Sequence, residues 1–297
     1  MADILAKHLL DKFQNNPFAL ACTKVILPTR RACQTLRESF LKKASDITTF
    51  LPQMVALYDM DDITVDLPSA IDDWKRLFLL TKLCQAKPNL KEIPKAFQVA
   101  VSLAELLDLS YQYNVSFEHL ADLVPASNFA QHWQETITFL DIIQTEWPKI
   151  LKAHHVIDKQ DRLQRVIRLK AQELAQNNAY TIIAGLTGDL PAVAELMKAI
   201  QKSGDIFLDG VDQTFISSEI VPDKNHPQYL IYKTIKALNI KPEKIIFKTS
   251  PNLTEELVEQ AFRSDTFQKS NLTDKSVQNM RLILNETPEQ AALTIAL

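Results

Sequence analysis

Lys24-Val-Ile-Leu-Pro-Thr-Arg-Arg-Ala-Cys-Gln-Thr-Leu-Arg-Glu-Ser-Phe-Leu-Lys-Lys43 reads as a short apolar strand, a turn at Pro28-Thr29 and then a helix. Two arginines fall in the first turn of that helix. Cations there oppose the positive end of the helix dipole, at a cost of roughly 0.3–1 kcal/mol when exposed. Helix stability therefore does not explain Arg30 and Arg31. Beside backbone N–H groups at the C-terminal end of a strand, they make an anion site. A nucleic-acid backbone at the edge of an α/β sheet is the anion expected.

Outward from this stretch, composition sets the bounds. The chain of 297 residues is long enough for a large core and more than one structural unit. A hydrophobic content of 46% and a charged content of 23% are those of an ordinary globular protein. A formal net charge of −3 excludes a chain-wide basic footprint, so any nucleic-acid contact has to be local. Three cysteines, Cys22, Cys33 and Cys84, are too few and too far apart for a disulfide framework or a CxxC metal site. They read as small buried hydrophobes, with Cys33 on the apolar face of its helix beside Leu36 and Phe40. Met1–Leu20 carries Asp3, Lys7, Asp11 and Lys12, so it is expected to be an amphipathic helix, not a signal peptide. No apolar run reaches the length of a membrane span, and the expected location is the cytoplasm.

Glycine divides the chain: none precedes Gly185, and all four lie between Gly185 and Gly210. So long a stretch without glycine predicts helix-rich structure with few turns at positive φ. A second, weaker strand is expected at Met54–Tyr58, and the acidic stretch Asp59–Asp62 reads as a solvated connection. Helices follow. One carries Trp74, Leu77, Phe78 and Leu80, and a second Phe97, Val101, Ala104, Leu107 and Tyr111. A long third carries Phe129, Trp133, Ile137, Leu140, Ile143, Trp147 and Ile150, with Pro148 expected to kink or end it. Leu163, Val166, Ile167 and Leu174 mark a fourth. The α/β pattern then returns, with strands expected at Tyr180–Ala184, Asp205–Asp209 and Lys244–Lys248 and a helix from Pro191 to Lys202. Such units imply a parallel sheet with right-handed crossovers. A last strand is expected at Met280–Asn285, followed by a helix opening at Thr287-Pro288.

The chemistry-bearing motifs are sparse. There is no G-x-x-x-x-G-K-[ST], so an active P-loop ATPase is not expected. Gly185-Leu-Thr-Gly188 is too short for a dinucleotide fingerprint, yet it follows a strand where α/β proteins place ligand contacts. Thr187 and Asp189 either bond a ligand or cap the next helix. His154-His155 lacks a third metal ligand and reads as a solvated helix end. His226-Pro227-Gln228-Tyr229 opens a helix, with His226 as a candidate cap. No serine elbow or cysteine–histidine pair is present, and no catalytic set, metal site or cofactor is expected.

Taken in order, these features resemble the amino-terminal part of the AddB family, the second subunit of the AddAB helicase–nucleases that process double-strand DNA breaks. The likeness is carried by Val25–Leu41, by Leu120–Pro125 with His132-Trp133 and Thr138–Ile143, by Trp147–Leu151 with Ile157-Asp158, by Thr181–Ile200, and by His226–Tyr229. The resemblance implies a RecA-like (P-loop NTPase-like) parallel sheet domain without Walker motifs, interrupted by an all-α subdomain. Residues 1–67 and 176–285 would form the helicase-like domain, 68–175 the helical insertion, and 286–297 the start of a second domain. The family's nuclease domain and its cysteine-held cluster are not carried over, so the resemblance makes the chain a fragment of the family, without catalytic function. Thr29, Arg30 and Arg31 would contact single-stranded DNA, with Thr187 on the neighbouring loop. The partners implied are single-stranded or broken-end DNA and an AddA-like helicase subunit, in DNA repair and recombination. A module that docks on the motor subunit through the helical block, and a remnant without activity, are the alternatives. A small-molecule α/β enzyme is a further one, but needs a catalytic set that the sequence lacks.

Overall fold

Two helices, α1 (Ala2–Lys12) and α2 (Pro17–Cys22), precede strand β1 (Lys24–Leu27), and helix α3 (Arg30–Lys43) leads to strand β2 (Gln53–Ala56). The computed structural model describes residues 1–43, 50–62, 66–87, 90–117, 140, 144–177, 180–211, 221–246 and 287. The single helix expected over the first twenty residues is two. Asn16 caps the second by accepting the Ala19 N–H at 3.0 Å, and Pro17, which cannot donate to a helix ladder, takes its first position.

After β2 the chain forms a 3-10 turn (Leu57–Asp62) and enters a helical block. A short strand β3 (Ser69–Ala70), helices α4 (Asp73–Cys84) and α5 (Ile93–Tyr113), and helix α6 (residues 144–153) make up this part. Strand β4 (Val156–Ile157) closes it by pairing in parallel with β3. Helix α7 (Lys159–Gln176), strand β5 (Thr181–Ala184), helix α8 (Pro191–Ile200), strand β6 (Asp205–Phe207) and helix α9 (Tyr229–Ala237) follow.

The main sheet is parallel throughout, in the order β2-β1-β5-β6. Its inner strands are continuous apolar runs because both faces are covered. Val25, Leu27, Ile182 and Ala184 point to one face, against Leu5, Leu9, Leu20, Leu36 and Phe40 of the first three helices. Ile26 and Ile183 point to the other, against α7 and α8. The alternation of the strand and the 3–4 spacing of the helices thus meet in two layers of apolar contact.

α7 buries Leu163, Val166, Ile167, Ala171 and Leu174 in the same cluster as Ile26 and Ile183. Expected as the last helix of the insertion, it instead packs on the sheet. The core of the helical block is formed by Leu80, Cys84, Ala96, Ala100, Leu103, Leu107, Trp147 and Leu151. Burial pushes the Cys84 thiol up to about 11.

Several expectations are corrected here. The buried stripe of α5 is Ala96-Ala100-Leu103-Ala104-Leu107, one residue round from Phe97 and Val101, because alanines let α4 approach closely. Trp74 and Phe78, which mark the expected helix, are 66% and 63% exposed. The inner face of α4 is centred on Arg76, Leu80, Thr81 and Cys84. The helix around Trp147 continues past Pro148 to residue 153. Cys22 is exposed, while Cys33 and Cys84 are buried as expected. The strand expected from Lys244 is not formed there: Pro242–Lys244 is a 3-10 turn, and residues 245 and 246 carry no strand pairing.

The expectations for Phe129, His132, Trp133, Ile137, Ile143 and residues 280–285 and 288–297 fall outside the described residues. The chain divides into two compact units, Met1–Pro242 and Glu243–Leu297. Among the described residues, no helix is long and apolar enough to cross a membrane.

Candidate functional site

In a parallel sheet, the place where neighbouring crossovers diverge opens a crevice at the C-terminal ends of the strands. Here that point lies between β1 and β5. The chain leaves β1 for β2 on one side, and β5 for β6 on the other. The two loops at the crevice are Pro28-Thr29 and Gly185–Asp189. They touch: a Cβ at Gly185 would lie 3.7 Å from Pro28 Cδ. It would also lie 2.8 Å from Met1 Cε, so the Met1 side chain reaches the crevice. Gly185 has φ +70°, a left-handed conformation suited to glycine, and its N–H donates to Phe207 O at 3.0 Å.

Thr29 caps α3. Its hydroxyl oxygen accepts the Ala32 N–H at 3.1 Å and its carbonyl accepts the Cys33 N–H. The hydroxyl hydrogen stays available to donate to an anion. Arg30 and Arg31 follow on the first turn, both exposed. The Arg30 Nε lies 2.5 Å from Asp59 Oδ2, in a pair whose side chains are 78% and 33% exposed. Asp59 comes from the turn after β2, the strand beside β1. The acidic stretch read as a solvated connection thus sends one carboxylate to the candidate site. Met60 beside it is buried against the sheet.

The charges of this corner reach into the first turn of α3. Burial pushes the Cys33 thiol above its usual range, Arg37 opposes this, and Asp59 adds to it. A buried thiol so disposed is inert.

On the facing loop, the Thr187 hydroxyl donates to Asp189 Oδ1 at 2.8 Å. Neither residue caps α8; Leu190 holds the cap position and Pro191 the first turn. The Gly188 N–H donates at 2.8 Å to the Thr234 hydroxyl, which is fully buried on α9. The loop is therefore anchored from beneath. Of the four candidate residues, Thr29, Arg30 and Arg31 lie at the start of α3 and Thr187 on the facing loop, at one sheet edge. Thr187 spends its donor within its own loop.

His154, His155 and His226 stand apart. His154 and His155 are exposed at the end of α6, as expected. His226 does not cap α9: its Nδ1 accepts the Gln228 N–H at 3.1 Å, and Gln228 holds the cap position. Among the described residues, no three His, Cys, Asp or Glu side chains are grouped to hold a metal ion.

Asp59 and Met1 are the residues of this corner that sequence reasoning missed. A signal for Asp59 existed: like Arg30 it follows a strand at once, and adjacent parallel strands place such residues side by side. What the arrangement supports chemically is anion binding by two guanidiniums, a hydroxyl and a helix N-terminus, with one carboxylate opposing it. No family model matches the chain, and no curated protein matches it significantly.

Proposed function

We propose that the chain is a non-catalytic, helicase-like DNA-binding protein of the AddB type, working with an AddA-like helicase subunit on single-stranded or broken-end DNA in the cytoplasm. In this reading the parallel sheet is a RecA-like domain without Walker motifs, and helices α4 to α6 are its insertion. The observation that carries it is the Arg30-Arg31 pair on the first turn of α3 at the switch point. Helix energetics alone disfavours cations there, and the crevice is where α/β sheets bind ligands. The ordered sequence likeness to AddB supplies the choice of DNA. Gly-Leu-Thr-Gly on the facing loop gives it no acidic pair for a motor.

Titration of single-stranded DNA at low salt against the Arg30→Ala/Arg31→Ala variant tests the reading. The wild type should bind with an affinity that falls steeply with salt. The variant should bind more weakly, with a salt slope smaller by about 1.4, or about 0.7 per lost phosphate contact on single strands. Equal binding by both proteins would remove the arginines from the site. No binding by the wild type would favour the reading as a remnant.

A second reading, docking on the motor subunit through the helical block, is favoured by Trp74 and Phe78. They are exposed one turn apart on α4. Loss of AddA-type subunit capture in a Trp74→Ser/Phe78→Ser variant that still binds DNA would select it.

A further inference from the structure

The candidate site occupies the C-terminal edge of the strands. An unexplained feature lies at the other edge. Phe18 on α2 is 71% exposed and Phe50, just before β2, is 48% exposed. Their rings lie 5.3 Å apart with a tilt of 33°. Two phenyl rings paired on the surface rather than in the core are unusual for segments that lead directly into two neighbouring strands of the sheet.

Helix α3 connects the two edges. It starts at the crevice and, as the crossover between β1 and β2, ends at the opposite edge, about 20 Å away. Its exposed residues include Arg30, Arg31, Arg37, Lys42 and Lys43 against a single acid, Glu38. Glu38 accepts the side-chain N–H of Gln34 at 3.2 Å. The lysines in the last turn suit the helix dipole, but the three arginines do not need it. The exposed face of α3 is therefore a cationic strip with anion-binding groups at one end and a pair of aromatic faces at the other. Strips of this kind bind single-stranded nucleic acid, with cations along the backbone and bases stacked on the rings.

We infer that Phe18 and Phe50 form a base-stacking platform, and that one nucleic-acid strand runs along α3 from Arg30-Arg31 to these rings. The inference rests on the DNA-binding reading above and adds to it a second contact point and a direction along the helix. Stacking accepts any base, so the track has no strong sequence preference.

The test is titration of an oligothymidylate of about eight nucleotides, and of its abasic counterpart, by fluorescence anisotropy. The proteins are the wild type, Phe18→Ala and Phe18→Tyr. Phe18 is largely solvated, so neither substitution empties a core. Phe18→Ala should lose roughly 5- to 100-fold in affinity for the oligothymidylate, the range of one stacked base. It should keep the wild-type salt slope and wild-type affinity for the abasic strand, and Phe18→Tyr should restore binding. Unchanged oligothymidylate binding by Phe18→Ala, with binding still lost in Arg30→Ala/Arg31→Ala, would overturn the platform and leave the anion site standing. Absence of DNA binding by the wild type would overturn both. Vesicles of anionic phospholipid form the last arm. If Phe18→Ala lost affinity for them but not for the oligothymidylate, the patch would be a membrane contact and the inference would fail.

Discussion

Arg30 and Asp59, 29 residues apart, meet because their strands are parallel neighbours, and the pair decides how the site starts out. An exposed ion pair contributes about 0–1 kcal/mol to stability, so the fold hardly depends on it. An arriving phosphate, however, must compete with Asp59 for the guanidinium and meets its negative charge. Asp59→Asn should therefore strengthen binding of single-stranded DNA, by up to about 5-fold if the whole value of the pair is released. The same titration at fixed low salt measures it; weaker binding would instead make Asp59 a group that positions Arg30 for its ligand. The strand, turn and helix around Arg30 were legible from the sequence, but the carboxylate that faces Arg30 was not.

At the scale of elements, the helical block is tied to α7 by a buried network. Asp158 is fully buried at the N-terminal cap position of α7, yet makes no capping bond. Its Oδ2 accepts the Trp147 indole N–H at 2.6 Å, and its Oδ1 lies 2.6 Å from Arg76 Nε. Arg76 also reaches Asp108 at 2.8 Å and the Ala104 carbonyl at 3.3 Å. Burial works against the charged guanidinium, but Asp158 and Asp108 outweigh it and hold the Arg76 pKa above its usual value. One carboxylate thus joins α4, α5, α6 and α7. Asp158→Ala leaves Arg76 buried without its closest charge and should cost about 3–5 kcal/mol in chemical denaturation. A loss below 1 kcal/mol would mean that Asp108 alone neutralises the arginine. Asp158 keeps its place at the start of α7 while its carboxylate serves these distant partners.

Across the whole molecule, the first helix is fastened to a strand some two hundred residues away. Asp205, at the start of β6, accepts from the Tyr180 hydroxyl and pairs with Lys12 and His8, each at 3.2 Å. Burial raises the Asp205 carboxyl pKa, but these three donors outweigh it and hold it below the usual 3.8. A depressed carboxylate stabilises the fold above its unfolded value, and that stability is lost as the pH falls through the folded one. Asp205→Asn should therefore be less stable than the wild type at pH 6, and the gap should narrow as the pH falls from 3.8 through the lower, folded pKa. Urea unfolding at pH 6 and over a descending acid series measures it. A gap that persisted in acid would place the effect in packing and not in charge.

Most of the elements are written locally in the chain. Apolar periodicity, the Pro191 helix start and the strand before Arg30 are local signals, written within a few residues by backbone geometry and side-chain spacing. They suffice for the α/β order, the buried faces of α3 and α7, and the turn between β1 and α3. Folding in three dimensions set which strands lie side by side, that α7 belongs to the sheet, and that Trp74 and Phe78 face outward. It also decided that Asp59 and Asp158 spend their charges on distant arginines. The reason is range: hydrophobic spacing repeats within one turn or one pleat, whereas an ion pair depends on chain segments brought together only by folding.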